Sequence, residues 1–300
     1  MNISLIVMTS FYPAAQQAVQ YADVLAGALG GQVVLLHANR VALFDPYVFA
    51  GDSWRKQELE GEKEIETLLE RQAEQLWSPA SVEIATDLLP DVARDLLARY
   101  HPALFVIGRP APDPTGPEQL STIVLELLQA AHIPILLVPL GSKALNPAQK
   151  VLVAADTEDF KPAGPADAVH LLLGSLGTQG VTVAHVSVLE EDESCAHALQ
   201  AVKRSGLLEG MPEPSLRGYQ SKNPAAGVFE GIRDTQADMV VMMARPRSYL
   251  GELFHTSVTV QVMHESPVPV LVVPATNPAE EKKPGQRVQA QDTTSWPGIS

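Results

Sequence analysis

"LIVMTSFYPAAQQAVQYADVLAGALGGQVVLLHA", residues 5–38, and "VLVAADTEDFKPAGPADAVHLLLGSLGTQGVTVAHV", residues 151–186, are two versions of one plan. Each is an apolar strand, a helix with apolar residues at helical spacing, and a second apolar strand ending at a histidine, His37 in one and His185 in the other. Both halves also close alike, with "HIPILLVPL" at 132–140 and "SPVPVLVVPA" at 266–275. A repeat of this length implies two similar α/β domains related by a pseudo-twofold axis, not a solenoid of short units. Any function should therefore be sought twice and the copies compared.

Residues 3–9 form a near-continuous apolar run, as a parallel strand buried on both faces requires. Residues 13–29 carry helical spacing through Ala18, Ala22, Leu25 and Leu29 until Gly30-Gly31 stops them. The first half continues with a strand at 33–38, an aromatic loop, and a long acidic helix over 52–76 with a stripe at Ile65, Leu68, Leu69, Ala73 and Leu76. A strand at 82–86, a helix at 90–100, a strand at 104–107, a helix at 120–131 and a strand at 135–138 complete it. The second half repeats this, with strands near 151–155, 181–186, 215–219, 239–242 and 269–273. Alternating strands and helices with right-handed crossovers predict two doubly wound parallel sheets of five strands each. Ligands of such sheets sit beyond the carboxyl ends of the strands, where the winding reverses. That places the crevices at the loops beginning at Ser10 and Gly108 in one half, and at Asp156 and Met243 in the other.

The expected domains are residues 1–140 and 150–275, joined by a linker over 141–149 and followed by a disordered tail over 276–300 that is poor in apolar residues. With 300 residues and 46% hydrophobic content the chain can bury two cores of ordinary size. Its single cysteine, Cys195, excludes an internal disulfide. No basic leader and no apolar run of membrane-spanning length occur, so a cytoplasmic location without membrane attachment is expected. A formal charge of −14 opposes nucleic acid as a partner, because phosphate contacts need clustered Lys and Arg.

The strand-ending "VAHV", the stretch "QADMVVMMARPRSYLGELFHTSVTVQVMHESPVPVLVVPA" (236–275) and its fainter copy "PALFVIGRPAPDPTGPEQLSTIVLELLQAAHIPILLVPL" (102–140) resemble universal stress proteins over residues 1–275. For members of that family that bind ATP, the resemblance implies an acid at the end of strand one against the adenosine. It also implies a loop after strand four, Gly-x2-Gly-x9-Gly-(Ser/Thr), around the phosphates. Glycines let backbone N–H groups approach an anion closely, and the next helix N-terminus adds donors and the positive end of its dipole.

Neither half carries the whole set. The first has Ser10 at the acid position and then Gly108-Arg109-Pro110-Ala111, nine residues, and Ser121-Thr122. The second has Asp156, then Met243-Ala244-Arg245-Pro246, nine residues, and Thr256-Ser257, with no glycine at any of the three positions. A one-residue shift would align the two Arg-Pro pairs and set Gly108 against Ala244 without restoring a glycine. The candidate nucleotide-binding residues are therefore Asp156 and Ser257 in one crevice, and Gly108 and Thr122 in the other. Thr122 and Ser257 begin expected helices, where N-capping alone accounts for them. Arg109, Arg245 and Arg247 are candidates to meet an anion near these loops.

His37 and His185 lie at equivalent strand ends, but no H-x-x-x-H or C-x-x-C spacing surrounds them, so no metal site is expected. Cys195 follows "EEDES", and acidic neighbours raise a thiol's pKa rather than activate it. No Ser-His-Asp or paired-carboxylate motif is recognisable, and no catalytic residue is assigned. The proline-bracketed last strands are edge strands needing cover. The resemblance implies that they pair across a two-fold, here as an intramolecular pseudo-dimer through Ile135–Val138 and Val270–Val273, with homodimerisation of the whole chain left open. The expectation is a non-catalytic tandem universal stress protein in stress response or regulation, with degenerate ATP-binding loops, no cofactor and unassigned protein partners. The alternative is an adenine-nucleotide protein holding ATP or AMP with Mg²⁺ in one retained half-site.

Overall fold

The computed structural model describes residues 2–9, 13–38, 52–85, 89–111, 117–142, 146–164, 166–176, 179–189, 192–245 and 257–278. The first half contains β1 (Ser4–Met8), α1 (Pro13–Leu29), β2 (Gln32–Ala38), α2 (Asp52–Ala73), β3 (Ala80–Ala85), α3 (Leu89–Arg99), β4 (Ala103–Arg109), α4 (Pro117–Ala131) and β5 (Ile135–Pro139). Its strands lie in the order β3-β2-β1-β4-β5, all parallel. The winding reverses at β1, which lies between β2 and β4. Leu5, Ile6 and Val7 are fully buried because helices cover both faces, which explains the unbroken apolar run. In α1 the small residues Ala18, Ala22 and Ala26 let the helix lie close on β4 and β1. On α2 the buried member of the stripe is Leu69, whereas Leu68 is exposed.

The second half contains β6 (Lys150–Ala154), β7 (Lys161–Pro162), α5 (Ala166–Ser175), β8 (Gly180–Ser187), α6 (Asp192–Ser205), β9 (Ser215–Gln220), α7 (Pro224–Thr235), β10 (Met239–Ala244), α8 (Val258–Glu265) and β11 (Val270–Thr276). The order β11-β10-β6-β8-β9 is that of the first half read from the other side. The doubly wound α/β architecture expected from the sequence is the one observed.

The two sheets are not separate. β5 and β11 pair antiparallel, Val270 opposite Leu137, Leu271 opposite Leu136 and Val272 opposite Ile135. A single sheet therefore runs from β3 to β9. Pro139 and Pro274 hold matching register positions, opposite Arg109 and Ala244, so Leu136 and Leu271 are equivalent residues facing each other. The local two-fold passes through that pair, and each patch meets its own counterpart, the isologous arrangement of a symmetric interface. β11 runs on to Thr276, which pairs with Lys161 of β7, so the expected tail begins later than 276. Residues 279–300 of that tail lie outside the described residues.

Each face of the joined sheet carries one apolar layer that draws residues from both halves. Ile3, Leu5 and Val7 share one with Val151, Val153 and Ala168, while Phe105 and Ile135 share the other with Val240 and Val270. Ala148, expected in the linker, is buried in the first layer, and the backbone N–H groups of Gln149 and Lys150 donate to the Asp238 carboxylate. Further contacts tie the halves together. Gly164 has φ +71° and presses on the His132 carbonyl, where an added Cβ would stand 2.0 Å from the oxygen. His101 Nε2 lies 3.5 Å from the Asp167 carboxylate.

Candidate functional site

Strand register fixes which residues of the two crevices correspond. Ile107 of β4 faces Met8 of β1, and Met242 of β10 faces Ala154 of β6. Gly108 therefore corresponds to Met243, and Ser10 to Asp156. The two Arg-Pro pairs are offset by one position, with Arg109 ending β4 and Arg245 following β10. Ser10, Pro246, Arg247 and Thr256 lie outside the described residues.

In the second-half crevice the chain leaves β6 at Ala155, whose N–H donates to the Ala184 carbonyl of the neighbouring strand. Asp156 comes next and accepts the Glu158 N–H at 3.0 Å through Oδ1, a turn closed by its own side chain. The same carboxylate is engaged by Arg245. Nη1 donates to Oδ2, Nη2 donates to Oδ1 at 2.8 Å, and Nη2 also reaches the Glu158 carbonyl at 2.9 Å. The Arg245 side chain is 9% exposed against 51% for Asp156, so the pair is a buried guanidinium meeting a half-exposed carboxylate. Bidentate geometry makes this a strong form of ion pair. Phe160 backs the guanidinium, with its ring centroid 6.0 Å from Cζ, and Nε is enclosed without a hydrogen-bond partner among the described residues. Beside the pair lies a cavity of about 290 Å³. Its walls come from the ends of β6, β8 and β10 and the starts of α7 and α8. Ser257 is at its edge and caps α8, accepting the Val260 N–H at 3.2 Å.

The first-half residues are occupied differently. An added Cβ at Gly108 would stand 2.1 Å from the Ala14 carbonyl oxygen and 2.7 Å from the Ala15 nitrogen. The glycine lets the first turn of α1 lie against β4, a packing requirement sufficient in itself. Thr122 does not begin a helix. α4 starts at Pro117, and Thr122 is an exposed residue in its second turn. Proline at the first helical position has its φ preset and loses no hydrogen bond there, so the helix extends upstream of its apolar stripe.

Arg109 is buried and directed into the other half. Nη1 donates to the His264 carbonyl and Nη2 to the Ser266 carbonyl at 2.6 Å, at the carboxyl end of α8. Unpaired helix-end carbonyls and the negative end of the helix dipole favour a cation there. Burial pushes the guanidinium pKa down. Asp156 and Ser257 both edge one cavity. The parts the sequence reading lacked are the two guanidinium commitments. The signal for them is the Arg-Pro dipeptide at each strand end, whose one-residue offset sends Arg109 outward across the halves and Arg245 back onto Asp156.

His185 Nδ1 lies 2.9 Å from the Ala155 carbonyl oxygen, the backbone contact expected of a packed strand-end histidine. Burial pushes the His37 pKa below its usual value, partly offset by a hydrogen bond with the Thr9 backbone. Among the described residues no three of His, Cys, Asp and Glu are grouped to hold a metal ion. No helix among them is long and apolar enough to cross a membrane.

Comparison with known proteins gives the fold a name. A universal stress protein from Archaeoglobus fulgidus DSM 4304 superposes with a TM-score of 0.65 at 18% identity, covering 90% of this chain and 97% of the other. A putative universal stress protein from Pseudomonas aeruginosa UCBPP-PA14 superposes with a TM-score of 0.49 at 17% identity, covering 91% and 93%. No curated protein matches the sequence. The profile of the universal stress protein family matches residues 147–274. Residues 147–274 are thus similar to the universal stress protein family, and the whole chain shares the fold of the Archaeoglobus protein.

Proposed function

We propose that the chain is a tandem universal stress protein, with domains at 1–140 and 150–275 forming an intramolecular pseudo-dimer. In this reading it is a cytoplasmic, non-catalytic module of stress response or regulation whose nucleotide loops are degenerate. The observation that carries the reading is the Arg245–Asp156 pair. The acid that would meet a ribose is already neutralised, and Met243 stands where the loop would need a glycine. A ribose here would have to compete with a bidentate guanidinium for the Asp156 carboxylate. In the first half Gly108 is accounted for by α1, and Thr122 is five residues into its helix, away from the N–H groups that could bind phosphate. The match of residues 147–274 to the universal stress protein family supports the stress-response role.

The test is titration of nucleotide-stripped protein with ATP and AMP, with and without Mg²⁺, alongside mass analysis of what the protein carries from cells. The expected result is no saturable binding in the micromolar range and no co-purified nucleotide. Micromolar binding abolished by Asp156→Ala would overturn the proposal in favour of an adenine-nucleotide protein using the second-half site.

A further inference from the structure

Trp77 is 97% exposed, yet the backbone that carries it is fastened. The carboxylate of Asp23 on α1, itself buried, accepts the Trp77 N–H at 3.1 Å and the Ser78 N–H at 2.9 Å. The buried Ser78 hydroxyl donates in return to the Asp23 carbonyl at 2.9 Å. Six residues earlier on α1, Gln17 fastens a second turn. Its Oε1 accepts the Gly141 N–H at 2.7 Å and its Nε2 donates to the Ser142 carbonyl at 2.9 Å, and this turn presents Leu140, 39% exposed. The surface beside Leu140 is open, since a Cβ added at Gly141 would meet nothing within 4 Å. Six helical residues turn through about 240°, so the two fastened turns flank opposite sides of the outer stripe of α1. That stripe is Gln16, Gln20, Val24, Gly27 and Ala28, all exposed.

The stripe is uncharged. The one charged residue of α1 is the buried Asp23, whereas Glu66 and Glu70 of the neighbouring α2, and Glu74 just after it, are exposed. An uncharged centre with a tryptophan anchor and a charged rim is the anatomy of a protein interface. The charge pattern selects the occupant. A chain of formal charge −14 draws a basic partner to its acidic surfaces, and this stripe has no ion to offer one. What docks here must itself present an uncharged face, and α1 is such a face. We infer that the α1 face is a self-association surface, on which a second copy of this chain docks about a two-fold axis crossing the middle of α1. The Trp77 indole of each copy then lies on the Leu140–Gly141 turn of the other, an isologous contact. Because both turns are already fixed, little order is lost on docking. The patch is at the small end of specific interfaces, so the Kd is on the order of tens of micromolar. Below that concentration the chain is monomeric and its stability does not depend on association.

The test is sedimentation equilibrium of the full chain over about 2–400 µM, at about 0.05 and about 0.5 M NaCl. The expected result is a monomer–dimer equilibrium that tightens about threefold as salt rises, because salt screens the repulsion between two acidic chains. Trp77→Ser should weaken it at least tenfold and leave the denaturation midpoint in place, since the indole is outside the fold. Gln20→Glu and Gln20→Lys, each alone, set like charges against each other near the axis and should weaken it too, and mixing the two variants should restore it. A chain that stays monomeric throughout overturns the inference and leaves the face to a different protein. A dimer unaffected by Trp77→Ser overturns it by placing the contact elsewhere, and a dimer that loosens as salt rises overturns it because ion pairs then hold it. A mixture of the Gln20 variants that associates no better than either alone overturns the two-fold.

Discussion

Each crevice holds one residue of the kind a nucleotide-binding signature would use, and each of those residues is engaged in a contact of its own within the fold. The first keeps a glycine, Gly108, and the hydrogen in place of its side chain faces the Ala14 carbonyl. The second keeps an acid, Asp156, and its carboxylate is taken by Arg245. Comparing them separates residue retention from site retention. A glycine at a strand end answers equally to a phosphate and to a helix packed too closely for a methyl group, and only the distance to the neighbouring backbone distinguishes the two.

That contrast is sharpest at Gly108. Gly108→Ala forces a Cβ into the backbone of α1, so it should destabilise the protein by about 3–5 kcal/mol, read from chemical denaturation midpoints. A variant as stable as the parent would return the glycine to a loop role and break the comparison. Arg109→Ala ranks next. It strips two helix-end carbonyls of their donors in a buried place, and a loss of about 2 kcal/mol is expected, with faster hydrogen exchange in residues 258–266 than elsewhere. Uniform exchange would show that the contact across the halves does not hold α8. The two hydroxyl residues at matching sequence positions should then diverge. Ser257→Ala removes a true N-cap and costs about 1 kcal/mol, whereas Thr122→Ala, exposed within a helix, stays within about 0.5 kcal/mol.

The smallest expected effect is a pH dependence. Because the His37 pKa is lowered in the fold, its neutral form is the one the folded state prefers. The unfolded chain then binds more protons as pH falls through the ordinary histidine value of about 6.5. Stability is full above that pH and declines below it, toward the folded pKa. His37→Gln should flatten this limb of the stability–pH curve. An unchanged limb would assign the loss to carboxylates instead.

The fold was legible because parallel strands buried on both faces must be apolar throughout, as Leu5–Val7 and Val151–Val153 are, and because the plan is written twice. Boundaries were less so. α4 begins at Pro117, upstream of the first apolar residue that marks its buried stripe, so periodicity placed its start too late and Thr122 too near its cap. Leu68 has the right spacing for the buried face of α2 yet is exposed, since spacing defines a stripe and not its width. The candidate site was legible as a list of residues and not as an arrangement. Asp156 and Arg245 are 89 residues apart in sequence, and Arg109 and Ser266 are 157 apart. Partners at that separation are chosen by the packed sheet, and no local pattern encodes them. β7 is only two residues long and exists through its pairing with β11, so it left no signal of its own.

The pairing of Leu136 with Leu271 changes the kind of equilibrium that governs assembly. Two separate chains meeting along such an edge obey a dissociation constant and come apart on dilution. Here the covalent connection from β5 to β6 makes the encounter unimolecular, governed by an effective concentration that dilution cannot lower. The melting temperature of this sheet should therefore not move with protein concentration. Among the described residues its end strands are β3 and β9, and an edge strand is where a sheet can take on a further strand.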